Sequence, residues 1–267
     1  MYTAIFNLRF DPFLNPIRHD QPFLSGSASL LNQRLNFALR AKSFVLISAN
    51  PGIGKTFFIH HWTKSLDPNL FLPAYLSLST CTSLDFFKQL CYTLQLIPKH
   101  RKIDMFQQIQ SKIISDYKIK KITSIIIIDD AHYLKSDILF ELPLIFNFSN
   151  ADTNPALIIL LTHPFFSDKL KMAAFQPLKS RFSLVYDLLP LSTEETFTYI
   201  KTALKSATAQ DSIFSDSAIK AIFELSNGFL RTINTLASNA LIAAAAKAKS
   251  SVSPEEIEDA AHEIALI

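Results

Sequence analysis

Two of the chain's four glycines, Gly52 and Gly54, fall within one eight-residue stretch, ANPGIGKT. Average usage of about 7% would give a chain of this length roughly 19 glycines. A sequence this sparing has concentrated the residue where the backbone must bend closely around something. The stretch lies between SFVLIS (43 to 48), a short apolar run of β type, and TFFIHHWTKSL from Thr56, whose apolar spacing is that of a helix. Few chains place strand, glycine loop and helix in that order without a use for the loop.

The order is that of a P-loop, in which backbone N–H groups and a helix N-terminus cradle phosphates. The candidate cradle comprises Asn50, Pro51, Gly52, Ile53, Gly54, Lys55, Thr56 and Phe57. Pro51 has no N–H to offer. Lys55 would reach the β and γ phosphates of ATP, and the Thr56 hydroxyl would ligate Mg²⁺. Ala49 stands where the strict pattern G-x-x-x-x-G-K-[ST] has its first glycine.

Seventy-four residues beyond Lys55, SIIIIDDAHYL places four isoleucines ahead of Asp129 and Asp130. A β-branched run apolar on both faces predicts a central parallel strand, and open α/β sheets bind ligands at the C-terminal ends of such strands. This is a Walker B pattern: Asp129 would hold the metal shell, and Asp130 would orient or deprotonate the attacking water. Asp-Asp-Ala-His is also a helicase-type box, but 267 residues do not hold two helicase domains besides the rest of this chain.

Strand and helix signals then alternate. FLPAYLSL (71 to 78), ALIILLT (156 to 162) and FSLVYDL (182 to 188) read as strands, and 83 to 96 and 105 to 117 as helices. After Pro190 the pattern is helical. Ser192 with Glu195 and Ser253 with Glu256 form capping boxes, and Ser215 caps a helix ending at Gly228. The expectation is an α/β nucleotide-binding domain over 1–189 with a five-stranded parallel sheet, followed by a small helical lid over 190–267.

Cys81 and Cys91 suggest neither disulfides nor a metal site, and Cys91 falls on an apolar helix face. No basic-then-apolar leader and no run of membrane-spanning length is visible, so a soluble cytoplasmic protein without a membrane partner is expected. Charged residues are 18% of the chain and phenylalanines number 23. Apolar surface in that excess favours self-association.

With these motifs the chain resembles AAA+ ATPases, and within them the ExeA-like group that includes many transposition helper ATPases. FNLRFDPF (Phe6 to Phe13) with FLS (23 to 25) is similar to the family's opening, where residues line the adenine pocket. SNGFLRTIN (226 to 234) is similar to the sensor 2 motif, with Leu230 in place of the usual proline. The resemblance implies that Arg231 reaches the γ-phosphate from the lid. It also implies that Thr162 or His163, ending the fourth strand, is sensor 1, and that Arg181 is an arginine finger acting on a neighbouring subunit. The family's usual catalytic acid is glutamate. With Asp130 the carboxylate is drawn back by roughly an ångström, which favours slow hydrolysis. AAA+ replication initiators have a similar Asp-Asp pairing.

Residues 99 to 121 carry Lys99, Arg101, Lys102, Lys112, Lys118, Lys120 and Lys121 against Asp104 and Asp116, a local +5 in a chain of net +3. Clustered basic charge is the footprint of phosphate-backbone binding, and Lys99, Arg101, Lys102, Lys118, Lys120 and Lys121 are candidate contacts to double-stranded DNA. No base-reading motif accompanies them, so binding would be largely sequence-independent. The expected function is that of an oligomeric, ATP-dependent DNA-binding helper of a transposase or similar partner. The alternatives are an ExeA-like ATPase of secretion or envelope assembly and a small-molecule kinase, the latter opposed by the sensor and lid motifs.

Overall fold

The computed structural model describes residues 2–14, 23–77, 82–148, 154–208 and 213–264. Cys81, and Leu78 at the end of the second expected strand, lie outside them. The chain divides into two compact units: Ser29–Pro51 with Phe58–Leu188, and Met1–Ala28 with Gly52–Phe57 and Leu189–Ile267. The last segment begins at Leu189. The grouping nevertheless departs from a single cut at 189, because the N-terminal segment and the glycine loop go with the helical residues.

The first unit is built on five parallel strands in the order β2-β3-β4-β1-β5. They are β1 (Phe44–Ser48), β2 (Phe71–Leu76), β3 (Thr123–Ile128), β4 (Ala156–Thr162) and β5 (Phe182–Asp187). Every residue of the central strands β1, β3 and β4 is buried, whereas the edge strands β2 and β5 are not uniformly so. That difference is what a parallel sheet covered on both faces demands, and it explains the unbroken Ile125 to Ile128 run. Alternate residues Phe44, Leu46, Ile126, Ile128, Ile158 and Leu160 enter one core with α4 (Ser83–Thr93), α5 (Lys102–Lys120) and α6 (Ser136–Ile145). Those helices contribute Phe86, Phe87 and Leu90, then Met105, Ile109 and Ile113, then Ile138, Leu139 and Leu142. Cys91 is buried in the same core, as its place on the apolar face predicts.

Helix α5 is tied by Asp116, whose nearly buried carboxylate pairs with Lys112 at 2.8 Å and Lys120 at 2.9 Å. Burial pushes its pKa up, but the two lysines outweigh it and hold the group below the ordinary carboxylate range. Lys121 closes the helix in the left-handed conformation, with φ of 59°.

The second unit gathers α9 (Thr193–Ala207), α10 (Asp216–Ser226), α11 (Leu230–Ala246) and α12 (Pro254–Glu263) around one core. Both predicted capping boxes form, and Ser215 accepts the Ala218 N–H at 3.1 Å. Such caps are each worth about 1 kcal/mol. Glu256 is fully buried in the second box. Burial opposes its charge, yet Lys249 and Ser253 hold its pKa down to about 2. Gly228 is obligatory: its φ is +76°, and a Cβ would stand 2.0 Å from the Leu191 carbonyl oxygen.

Phe6, Leu8 and Phe13 belong to this helical core. Asp11 pins the run by accepting from the Tyr2 hydroxyl at 2.6 Å, the Ser238 hydroxyl at 2.9 Å and the Phe13 N–H at 2.8 Å. The apolar residues of the opening motif thus find their partners among helices about 200 residues later, which is why the N-terminal segment groups with them.

Candidate nucleotide and metal residues

Register brings the ends of β1, β4 and β3 to one edge of the sheet, since Ser48 pairs with Thr162 and Leu160 with Ile128. Walker-type acids follow β3 there. The N–H of Asp129 continues the ladder by donating to the Leu76 carbonyl at 2.9 Å. One carboxylate oxygen of Asp129 accepts the Asp130 N–H at 2.9 Å, and the other accepts the Tyr75 hydroxyl in a short hydrogen bond. His60 stacks on Tyr75 with ring centroids 4.5 Å apart. A buried carboxylate anchored from two sides is a fixed oxygen donor for a hard cation.

Asp130 follows in the left-handed conformation (φ 49°, ψ 37°), one that aspartate tolerates better than most side chains. The chain then enters a short 3₁₀ turn, Ala131–Tyr133. This turn buries His132, whose ring lies 4.1 Å from that of His163 and 5.3 Å from that of Phe165.

Thr162 is fully buried, and its hydroxyl has no hydrogen-bond partner among the described residues; nor has the hydroxyl of Ser48 beside it. Orphan buried hydroxyls are uncommon and call for an explanation such as a missing polar ligand. Of the two sensor 1 candidates, Thr162 ends its strand as a buried hydroxyl, whereas His163 is half-exposed and joins the His132 ring.

Ala49, in place of the strict pattern's glycine, extends the ladder by donating its N–H to the Thr162 carbonyl at 3.1 Å. Its φ is not positive, so alanine fits.

Arg181 lies just before β5, and its carbonyl accepts the Phe44 N–H at 3.3 Å. That is the N-terminal edge of the sheet, opposite the acids. The structure therefore does not bring Arg181 to the acids of its own chain.

In the helical unit, Gly52 and Gly54 have φ of 84° and 103°. Both take conformations that L side chains rarely adopt, as the motif predicts. Ile53 and Lys55 are buried; Asn50, Pro51 and Thr56 are exposed; and Phe57 is half-buried. The Gly52 carbonyl accepts the Arg231 N–H at 2.9 Å. A Cβ on Gly52 would sit 3.1 Å from that of Arg231, and one on Gly54 would sit 3.0 Å from Leu230 Cδ1. Leu230, at the motif's usual proline position, is thus the side chain laid against the loop, while the Arg231 side chain is exposed.

The basic segment is less free than its composition predicts. Arg101 pairs with Asp104 at 2.9 Å, Lys102 with Glu141 in a short contact, and Lys112 and Lys120 with Asp116. Lys99, Lys118 and Lys121 are exposed. Glu141, from α6, was outside the charge count made along the sequence.

Comparison with known proteins agrees with this geometry. Residues 39–170 match the family described as an AAA domain. Cdc6p from Pyrobaculum aerophilum superposes with a TM-score of 0.72 at 14% identity, covering 98% of this chain and 70% of that one. ORC1 from Aeropyrum pernix, solved in complex with DNA, gives 0.67 at 16%, covering 95% and 68%. The fold is the AAA+ P-loop fold. Within it, β4 separates the strand that precedes the glycine loop from the one that precedes the acids. General secretion pathway protein A of Aeromonas hydrophila is 26% identical over 268 residues, 99% of this chain and 48% of its own length. The chain therefore spans about half of that relative. Among the described residues no helix is long and apolar enough to cross a membrane.

Sequence reasoning missed Tyr75, His60 and His132. Tyr75 and His132 each stand within a few residues of a motif or strand end, but only the fold shows what their rings touch. Replacing Tyr75 with phenylalanine keeps the ring on His60 and removes the hydroxyl from Asp129. Outer-shell partners of this kind are worth about 10- to 100-fold in metal affinity or activity. If Asp129 is the metal holder of an ATPase, as the sequence leads one to expect, Mg²⁺ titration of ATP hydrolysis should shift to higher metal by at least tenfold in Tyr75→Phe, and an unchanged titration would contradict that expectation.

Proposed function

We propose that this protein binds Mg²⁺–ATP and hydrolyses it slowly, using the nucleotide state to control assembly on a partner. The observation that carries this reading is the sheet edge at which the anchored carboxylate of Asp129, the left-handed Asp130 and the orphan hydroxyl of Thr162 converge. Lys55 and the loop N–H groups take the phosphates, Thr56 and Asp129 the Mg²⁺, and Asp130 the attacking water; Arg231 adds positive charge at the γ-phosphate. Asp130, one methylene shorter than glutamate, makes the enzyme a timer more than a motor.

For the partner, the basic segment supports double-stranded DNA, and with it the role of helper to a transposase or similar DNA-processing protein. ORC1 from Aeropyrum pernix, a solved structure of similar fold, is a complex with DNA. The engaged cations of α5 reduce the expected strength. If Lys99 and Lys121 neutralise two phosphates, log affinity should fall with log salt at a slope of about −2. Fluorescence anisotropy with a non-hydrolysable ATP analogue tests this over a salt series. Changing those two lysines to glutamine leaves the Asp104, Asp116 and Glu141 ion pairs intact and should weaken binding to all sequences alike. No binding by the parent at low salt would favour the second reading, an ATPase of secretion-complex assembly, which the match to General secretion pathway protein A supports.

A further inference from the structure

Apart from His163 as a sensor 1 candidate, the pair His132 and His163 has no part in the ATPase chemistry above, yet it stands beside Asp130. One donor atom from each of Asp130, His132 and His163 lies within 4.8 Å of the other two. The three come from two adjacent strand ends: the left-handed turn at Asp130 returns the chain so that residues 130 and 132 face a common space, and His163 leaves β4 alongside. Phe165 packs edge-on against His132, and Tyr133 lies 4.0 Å from it, giving the imidazole an aromatic surround.

We propose that Asp130, His132 and His163 form a transition-metal site, of the class taken by Zn²⁺, and that metal bound there holds hydrolysis off. Two imidazoles and one carboxylate suit zinc, with a fourth position left for water. The same set is wrong for Mg²⁺, which takes oxygen ligands and keeps its waters. Neighbouring ligand atoms around tetrahedral zinc stand roughly 3.3 Å apart, given metal–ligand distances of about 2.0 to 2.2 Å. Side-chain rotations would bring donor atoms that lie within 4.8 Å of one another to that spacing. A metal on the Asp130 carboxylate occupies the lone pair that would accept the proton of the attacking water. Nucleotide binding, which rests on the loop and Asp129, is left in place. The regulatory half of this proposal rests on the ATPase reading; the site itself does not.

The test uses the nucleotide-free full chain. Co²⁺ is added as a spectroscopic probe, and Zn²⁺ is titrated by calorimetry. The parent should bind one equivalent with ligand-field absorption in the tetrahedral range, and Zn²⁺ should displace the Co²⁺. His132→Phe and His163→Phe keep aromatic packing and remove one donor each. Each should weaken Zn²⁺ binding at least 100-fold, with melting temperatures in chelator unchanged. Equal metal binding in the parent and in the double variant would overturn the site. Under saturating Mg²⁺–ATP, Zn²⁺ should stop phosphate release by the parent without displacing a fluorescent nucleotide. Metal binding that leaves phosphate release unchanged would overturn the regulatory half. A parent that releases no phosphate even in chelator would count against the ATPase reading, and the cobalt spectra would still decide the site.

Discussion

Replacing Lys55 with alanine is expected to abolish tight ATP binding, whereas Asp130→Asn should keep binding and lose hydrolysis by at least 100-fold. The difference follows from when each group acts under the proposed function. Lys55, buried at the first turn of α3 (Lys55–Lys64), meets ground-state phosphates, so its loss appears in affinity. Asp130 acts on water as the reaction proceeds, so its loss appears in the chemical step. Asparagine also tolerates the left-handed conformation, with φ of 49°, and therefore keeps the turn. Equilibrium binding of a fluorescent ATP analogue, paired with phosphate release, separates the two. Equal loss of nucleotide affinity in both variants would contradict the assignment of the acids.

Arg181→Ala should reduce hydrolysis by about 1,000-fold or more if the residue supplies an arginine finger. Arg181 sits at the sheet edge opposite the acids of its own chain, so as a finger it would have to act on a second copy. Specific activity of the parent should then rise with protein concentration. Mixing Arg181→Ala with Lys55→Ala should restore activity that neither variant has alone, since an interface can pair an intact loop with an intact arginine. Concentration-independent activity from a monomer, together with no rescue on mixing, would contradict the role.

Much of the α/β architecture was legible because its signals are local. Four β-branched residues in Ile125–Ile128 read as a central strand and are one, and Gly52 and Gly54, placed by their rarity in a tight loop, both have positive φ. Capping at Ser192, Ser215 and Ser253 was equally local. What could not be read along the chain depends on contacts across it. Asp11 holds the opening motif to Ser238 in α11, so residues expected to belong with the sheet domain group with the helices. Lys102 is neutralised by Glu141, 39 residues away, which a charge count over 99 to 121 does not include. His132 reads as a feature of the Asp-Asp-Ala-His box alone until β3 and β4 are seen as neighbours that bring His163 to it.

The most direct measurement is single-turnover hydrolysis with protein in excess over γ-labelled ATP and Mg²⁺, with all products resolved. The account predicts one ADP and one inorganic phosphate per ATP, formed slowly by the parent, absent with Lys55→Ala for want of binding and absent with Asp130→Asn despite it. Label appearing on a phosphorylated small molecule, or ATP recovered intact from a parent that binds it tightly, would contradict the central claim.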